Sequence, residues 1–464
     1  MGVDPPVPRH SIIRLMAAAA SVLTFGTGCI AVSTGTVDGP AVGRRAPGGG
    51  LGRSPSVAVG ETNGVVQRAL KDVERYWSAT YPTLSGGKQF QAVRGGYHPY
   101  TRSDPPPACG PEQGEYQPNA FYCPVGDFIA WDAQTLIPEL NSNFGPLLVG
   151  VVIAHEYGHA IQARLGQSER PTIVLEQQAD CFAGGWIGDV LAGRSEAYRD
   201  IQPEQLDSTV AGLLTLRDQP GTSATSAQAH GNAFDRVRAF QEGVELNASR
   251  CAQYREDNLP VTEVGFERQD DAATGGNLPY EDAVDLLTRS SQVYWERAYP
   301  KLAPGQNWEP LRVTTFDPAS PPECEGRDAS EELAVAAFYC ASGDFVAFDG
   351  RELGPTLYEK IGDNAVGTLL GGLFAQAAQA RRGVSTQGRD GQLAVDCLTG
   401  SWTYELLHGT NTAQTISLSP GDLDEAVTAL LVFGRSGKSG DASAFDRIAK
   451  FRAGTLQGLP ACTG

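Results

Sequence analysis

The chain states most of its sequence twice. Laid on itself at a shift of about 217 residues, Tyr76-Trp77 with Tyr81-Pro82 falls on Tyr294-Trp295 with Tyr299-Pro300, and Phe121-Tyr122-Cys123 with Asp127-Phe128 and Asp132 falls on Phe338-Tyr339-Cys340 with Asp344-Phe345 and Asp349. Gln162-Ala163-Arg164, Asp180-Cys181 and Phe234-Asp235-Arg236 then meet Gln379-Ala380-Arg381, Asp396-Cys397 and Phe445-Asp446-Arg447 in the same order. Matches this colinear read as a tandem duplication, so an element assigned to one copy must also suit the other. The copies run over 62–256 and 279–464, joined by a polar linker, 257–278, that contains Asp270-Asp271 and Gly275-Gly276. With 464 residues, 41% of them hydrophobic, the chain is long enough to give each copy a core.

The cysteines follow the repeat. Setting Cys29 aside, Cys109, Cys123, Cys181 and Cys251 of the first copy match Cys324, Cys340, Cys397 and Cys462 of the second. Four per copy read as two disulfides per copy in an exported protein. Three pairings are open, and Cys109–Cys123 with Cys181–Cys251, and Cys324–Cys340 with Cys397–Cys462, are favoured. Thiolate ligation of a metal is disfavoured because no C-x-x-C spacing occurs. The N-terminus supports export. Arg9 and Arg14 precede an apolar stretch from Leu15 to Phe25, too short to span a bilayer, and Gly26-Thr27-Gly28 then leads to Cys29. This resembles a bacterial lipoprotein signal over 1–28, with Cys29 as the lipidated first residue; the alternative is an ordinary secretory signal with Cys29 unmodified. Residues 29–60, rich in Gly, Ser, Thr, Pro and Arg, are expected to be a flexible tether. A net charge of −18 argues against nucleic acid or an anionic lipid surface as the main partner.

One copy contains His155-Glu156-Tyr157-Gly158-His159 and the other does not. The surrounding run, from Pro146 through Val151-Val152-Ile153-Ala154 to Leu165, is apolar and bounded by Ser142-Asn143 before and Gly166 after, which predicts a buried helix. Histidines four apart project from one helix face, a spacing that lets two imidazole nitrogens bind one Zn2+. Glu156, about a quarter-turn around, is placed to take a proton from a zinc-bound water as it attacks a carbonyl. Six histidines in 464 residues make an accidental hit rare, and burying two His and a Glu without a ligand would be costly.

Two imidazoles and a water leave one tetrahedral position for the protein. A third histidine at the H-E-x-x-H-x-x-G-x-x-H spacing is absent, since Gln162 and Leu165 stand at its later positions. Glu176 is the next candidate, on a second helix that opens after Pro171, runs to about Leu191 and stops near Gly193. Asp180 shares its face and is placed to accept a hydrogen bond from the far nitrogen of a ligating His. Ala179, Ala183, Gly184 and Gly185 would let this helix pack close to the first. His230, ahead of a terminal helix, reads either as a catalytic group that stabilises the oxyanion or as a surface or capping residue. His98 and His408 lack a motif and default to structure, and the Trp77/Tyr81 and Trp295/Tyr299 sets to core. Residues 127–132 alternate as a short strand, expected to be the edge on which an extended peptide pairs.

These motifs resemble those of the bacterial predicted neutral zinc metallopeptidase family, a glutamate-type zincin, with His-Glu-x-Gly-His-x-x-Gln followed by Glu-x-x-Ala-Asp-Cys-x-Ala-Gly. Here they stand as His155-Glu156-Tyr157-Gly158-His159-Ala160-Ile161-Gln162 and Glu176-Gln177-Gln178-Ala179-Asp180-Cys181-Phe182-Ala183-Gly184, and the likeness extends from Phe121-Tyr122-Cys123 to His230-Gly231 and Arg236. The resemblance implies a zincin-like fold and a proteolytic activity.

The second copy departs from that pattern at each chemical position. His155 and Glu156 align with Gly372 and Leu373, His159 with Gln376, Glu176 with Gln392 and His230 with Asp441, whereas Asp180 keeps a counterpart in Asp396. The expected fold is α+β, mainly helical, a zincin-like metallopeptidase domain repeated in tandem with the second copy metal-free. The expected function is a zinc-dependent hydrolase with one Zn2+ per chain, an extracytoplasmic metalloendopeptidase acting on peptide or protein substrates. It would be held by Cys29 to the outer face of the cell membrane, with a cell-envelope partner available to the second copy. The competing reading is a non-catalytic binding or scaffold lipoprotein with a structural zinc. A third is hydrolysis of a non-peptide amide or ester.

Overall fold

The two matched stretches carry the same series of elements in the computed structural model, which describes residues 55–110, 116–226, 229–266, 269–325, 336–409, 416–434 and 440–463. The first series is α1 (Pro55–Leu84), β1 (Gly96–Tyr100), β2 (Ala120–Cys123), β3 (Phe128–Asp132), α2 (Leu136–Phe144), α3 (Pro146–Leu165), α4 (Thr172–Leu191), α5 (Pro203–Thr215) and α6 (Ala233–Cys251). After a short helix in the linker, Gln269–Ala273, come α7 (Tyr280–Leu302), β4 (Arg312–Phe316), β5 (Ala337–Cys340), β6 (Phe345–Asp349), α8 (Leu353–Lys360), α9 (Asp363–Arg381), α10 (Gly388–Leu407), α11 (Asp422–Phe433) and α12 (Ala444–Gln457). The architecture is α+β and mainly helical. The expected signal segment, Cys29 and the tether up to residue 54 lie outside the described residues. The end of the tether is corrected: α1 begins at Pro55, inside the stretch read as flexible.

Each half holds a three-stranded sheet with the same order, β1-β3-β2 and β4-β6-β5, the first pair parallel and the second antiparallel. The repeated acidic residues explain themselves here. Asp127 and Asp344 turn the chain between strands at φ 49 and φ 47, the left-handed region, and each is held by the arginine of the repeated Gln-Ala-Arg: Arg164 to Asp127 at 3.1 Å and Arg381 to Asp344 at 2.8 Å. Asp132 and Asp349 accept backbone amides ahead of the next helix, Leu136 N at 2.8 Å and Leu353 N at 3.2 Å, which aims α2 and α8.

Strand β3 is central and wholly buried, so 127–132 is not the edge that its alternation suggested. A strand covered on both faces by protein keeps apolar residues at every position, which hides its place in the sheet from the sequence. The edge towards the first helix pair is β2.

Helix α3 is set by its ends. Pro146 opens it behind Gly145 at φ 88, and Gly166 closes it in the left-handed conformation with its N–H on Ala163 O. Fifteen of its residues, from Leu147 to Gln162, are buried, so the helix threads the core. Helix α4 crosses it where Gly158 meets Ala179: a Cβ on Gly158 would come within 2.9 Å of Ala179 Cα. The glycines of α4 face elsewhere. A Cβ on Gly184 would lie 1.9 Å from Phe240 O, so the close approach is to α6, and Gly400 in α10 repeats it against Phe451 O at 2.0 Å. The four cysteine pairs lie at bonding distance, Cys109–Cys123, Cys181–Cys251, Cys324–Cys340 and Cys397–Cys462, with Cα separations of 5.5 to 5.7 Å. Trp77, Tyr81, Trp295 and Tyr299 are core, at most 4% exposed.

Candidate metal centre

Helices α3 and α4 bring three donor atoms to one point. His155 Nε2 lies 3.2 Å from His159 Nε2 and 3.3 Å from Glu176 Oε2, and His159 Nε2 lies 3.4 Å from Glu176 Oε1. A tetrahedral ion with bonds of about 2.0–2.1 Å separates its donors by about 3.3–3.4 Å, so these residues fit one ion without rearrangement.

The surroundings fix which imidazole nitrogen faces the centre. Gln162 gives its amide N–H to Leu175 O at 2.6 Å, which leaves its Oε1 to accept from His159 Nδ1 at 3.0 Å. His155 Nδ1 donates to Asp180 Oδ1 at 2.7 Å, and Arg236 holds the same carboxylate through Nε at 2.8 Å and Nη2 at 3.0 Å. Both protons therefore sit on the outer nitrogens. Two imidazole lone pairs and a carboxylate then face one another with no hydrogen between them, and buried Glu176 Oε2 has no hydrogen-bond partner. Such a set calls for a cation. The electrostatics favour positive charge at this point, whether a proton on His155 Nε2 or an ion in its place: burial opposes charge on His155, but Asp180 and Glu176 outweigh it and lift its pKa to about 10, while the two histidines hold Glu176 well below the usual carboxylate range against its burial.

Glu156 flanks this point from the next position on α3. Its Oε2 accepts the Tyr122 amide of β2 at 3.0 Å, and burial, offset by His155, pushes its pKa up to about 7. The centre opens on a cavity of about 300 Å3 whose polar wall includes Glu156 and His230 and whose far wall is Leu136, Leu140, Val151, Val152, Leu213 and Leu216. His230 reaches it from the loop before α6. Asp218 fixes that loop, accepting the His230 and Gly231 amides at 2.7 and 2.8 Å and pairing with His230 Nδ1 at 3.1 Å.

The structure thus brings His155, Glu156, His159, Glu176, Asp180 and His230 into one neighbourhood. His98 and His408 lie outside it, on Gly95 O and Tyr404 O. Sequence reasoning did not assign Tyr122, Asp218 or Arg236 to it, nor give Gln162 its orienting task. Arg236 had a signal: it survives as Arg447 just where Asp180 survives as Asp396, and the two pair at 2.7 Å. Tyr122 acts through its backbone and Asp218 through a loop, neither of which leaves a pattern.

At the matching place in the second half, Gln392 donates to Asp441 Oδ1 at 2.9 Å and accepts Ala442 N at 2.9 Å, which ties the counterparts of Glu176 and His230 to each other. Elsewhere in the second half, Asp363, Asp422 and Glu425 bring carboxylate oxygens within 4.8 Å of one another. These side chains accept backbone amides, Leu278 N at 2.8 Å, Ser419 N at 2.7 Å and Asn364 N at 2.9 Å.

Residues 13–254 match the family described as "putative neutral zinc metallopeptidase". An uncharacterized protein of Mycobacterium tuberculosis (strain H37Rv) is 30% identical over 161 residues, covering 30% of this chain and 54% of the relative. The uncharacterized protein YpfJ of Escherichia coli K12 is 27% identical over 196 residues, 38% of this chain and 65% of the relative. The chain thus spans about half to two thirds of the length of the curated relatives it matches. No solved structure matches it.

Proposed function

The chain belongs to the family of putative neutral zinc metallopeptidases, and from that membership we propose that its first half is a zinc-dependent endopeptidase and its second half a duplicated, metal-free copy of the same domain. The observation that carries the reading is the donor set: His155 Nε2, His159 Nε2 and Glu176 at mutual distances of 3.2 to 3.4 Å, open on one side to a cavity. Zinc held there supplies Lewis acidity towards a carbonyl and a water.

The chain's own residues do the rest. Glu156 holds a proton-accepting carboxylate at the cavity, oriented by the Tyr122 amide, with a pKa near neutrality that suits both taking and returning a proton. Asp180 and Gln162 keep the outer nitrogens of His155 and His159 protonated, which leaves Nε2 of each free for the ion. His230, aimed by Asp218, offers a hydrogen bond to the substrate oxygen. An extended peptide pairs along the outer edge of β2, in place of the β3 edge expected from the sequence, with the Tyr122 amide of that edge kept by Glu156. Export is supported by the four disulfides; among the described residues no helix is long and apolar enough to cross a membrane. Lipidation at Cys29, a membrane-anchored location and a cell-envelope partner belong to the same proposal.

A scaffold with a structural zinc would close the ion with a fourth protein ligand; here the fourth direction is the cavity, and a carboxylate stands beside it. The test is a peptide library digested by the zinc-loaded chain and read by mass spectrometry, with an amide and ester panel alongside. Cleavage of peptides that stops on chelation and returns with zinc supports the endopeptidase. Cleavage confined to the amide or ester panel, or none with zinc bound, removes it.

A further inference from the structure

The two halves dock through reciprocal aspartates. Leu206-Asp207 of α5 and Leu423-Asp424 of α11 stand at matching positions. Asp207 accepts Ala444 N at 3.1 Å and Phe445 N at 2.8 Å, in the first turn of α12, and Asp424 accepts Phe234 N at 2.9 Å, in the first turn of α6. Each terminal helix already has its own cap, Asn232 or Ser443, so the other half satisfies amides that the cap leaves open. Around them Gln241 donates to Phe445 O at 2.8 Å and Arg452 to Arg238 O at 3.0 Å. Contacts that repeat with the halves exchanged are the signature of a two-fold, self-complementary interface, here within one chain.

Asp424 also pairs with Arg217 at 3.3 Å. Arg217 immediately precedes Asp218, which aims His230, and Phe234 begins the helix that carries Arg236 to Asp180. One carboxylate of the second half therefore grips both ends of the segment that brings His230 to the cavity, and Asp218 N closes that segment on Gly231 O at 3.1 Å.

We propose that the second half is an intramolecular positioning partner: Asp424, through Arg217 and the first turn of α6, sets the Asp218–His230 arm of the first half's site. Asp424 is a positioning residue. Its assigned effect on turnover rests on the hydrolase reading; its effect on the loop does not. The test compares full-length Asp424→Asn with Asp207→Asn as the matched control, and adds Arg217→Ala, which removes the ion pair with Asp424 and leaves the Phe234 amide on that carboxylate. Amide hydrogen exchange at His230 and Gly231, both donors to Asp218, is read by NMR, and zinc content and steady-state kinetics are measured on the same samples.

Asp424→Asn and Arg217→Ala are expected to speed exchange at those two amides about tenfold or more, with Asp207→Asn leaving them unchanged. Zinc content stays at that of the unaltered chain, and kcat falls about tenfold with KM little changed, because the aim of a catalytic group and not substrate binding is lost. Equal effects from Asp207→Asn, or unaltered exchange in both Asp424→Asn and Arg217→Ala, overturn the proposal. If the unaltered chain hydrolyses nothing, the hydrolase reading fails, and the exchange data still decide the positioning claim.

Discussion

In both halves an aspartate on the fourth helix pairs with an arginine on the sixth, Asp180 with Arg236 at 2.8 Å and Asp396 with Arg447 at 2.7 Å. Only Asp180 has a histidine on its other side. The two environments diverge accordingly. Burial raises both carboxyls, but Arg236 and His155 together bring Asp180 below its ordinary value, whereas Arg447 alone leaves Asp396 above it. The same partition runs through the halves. Glycines at the α4–α6 crossing, the turn aspartates with their arginines and the cysteine pairs are present twice, while His155, Glu156, His159, Glu176 and His230 are present once. A fold can lose its chemistry and keep its frame when the residues for each are different side chains. Asp180 belongs to both sets, which is why its counterpart persists.

The largest effect expected from that partition is on turnover. Glu156→Gln, which keeps an acceptor for the Tyr122 amide but cannot take a proton, should lower kcat by about 10²-fold or more with zinc content unchanged, whereas Leu373→Gln at the matching place should leave kcat alone. Equal losses in a steady-state assay would break the comparison.

Next comes the shared ion pair. Asp180→Ala and Asp396→Ala should each destabilise the chain by roughly 3–5 kcal/mol in denaturant titrations, because each strands a buried arginine. Zinc affinity, read by competition with a chelating dye, should drop about 10–100-fold for Asp180→Ala alone. A matching drop for Asp396→Ala would mean that the second half reaches the metal.

The smallest effect distinguishes the halves by pH. Asp363, Asp422 and Glu425 occupy places held by Pro146, Gln205 and Ser208 in the first half; burial raises all three, and repulsion by the neighbouring carboxylates adds to it for Asp422, which reaches about 8, and for Glu425. Acids raised on folding keep protons that the unfolded chain releases above about pH 4, so stability is fullest below that pH and falls as pH climbs towards 8. Asp422→Asn should flatten this slope and raise Tm at pH 8 by about 2–4 °C. An equal shift at pH 5 and pH 8 would sever it from titration.

Much of this was legible in the sequence where spacing carries the information. The span of α3 from Pro146 to Leu165 and that of α4 from Thr172 to Leu191 follow from periodicity and their Gly and Pro ends, and His155, His159, Glu176 and Asp180 meet because helical spacing puts them on facing sides. Sheet order was not legible: β1 and β2 are five and four residues long, too short for a period, and β3 is apolar from Phe128 to Trp131 and buried throughout. The start of α1 in a Gly-rich stretch, the helix faced by Gly184, the Tyr122 amide and the Asp424–Arg217 link depend on tertiary packing that leaves no spacing behind.

The most direct test of one metal-holding half beside one metal-free half is zinc per chain, by elemental analysis, on soluble protein beginning near Pro55 and purified without chelator. The account predicts about one zinc in the unaltered chain and none after His155→Ala with His159→Ala, the double variant remaining folded. No zinc in the unaltered chain even after zinc is supplied, or one zinc that survives the double substitution, would contradict it.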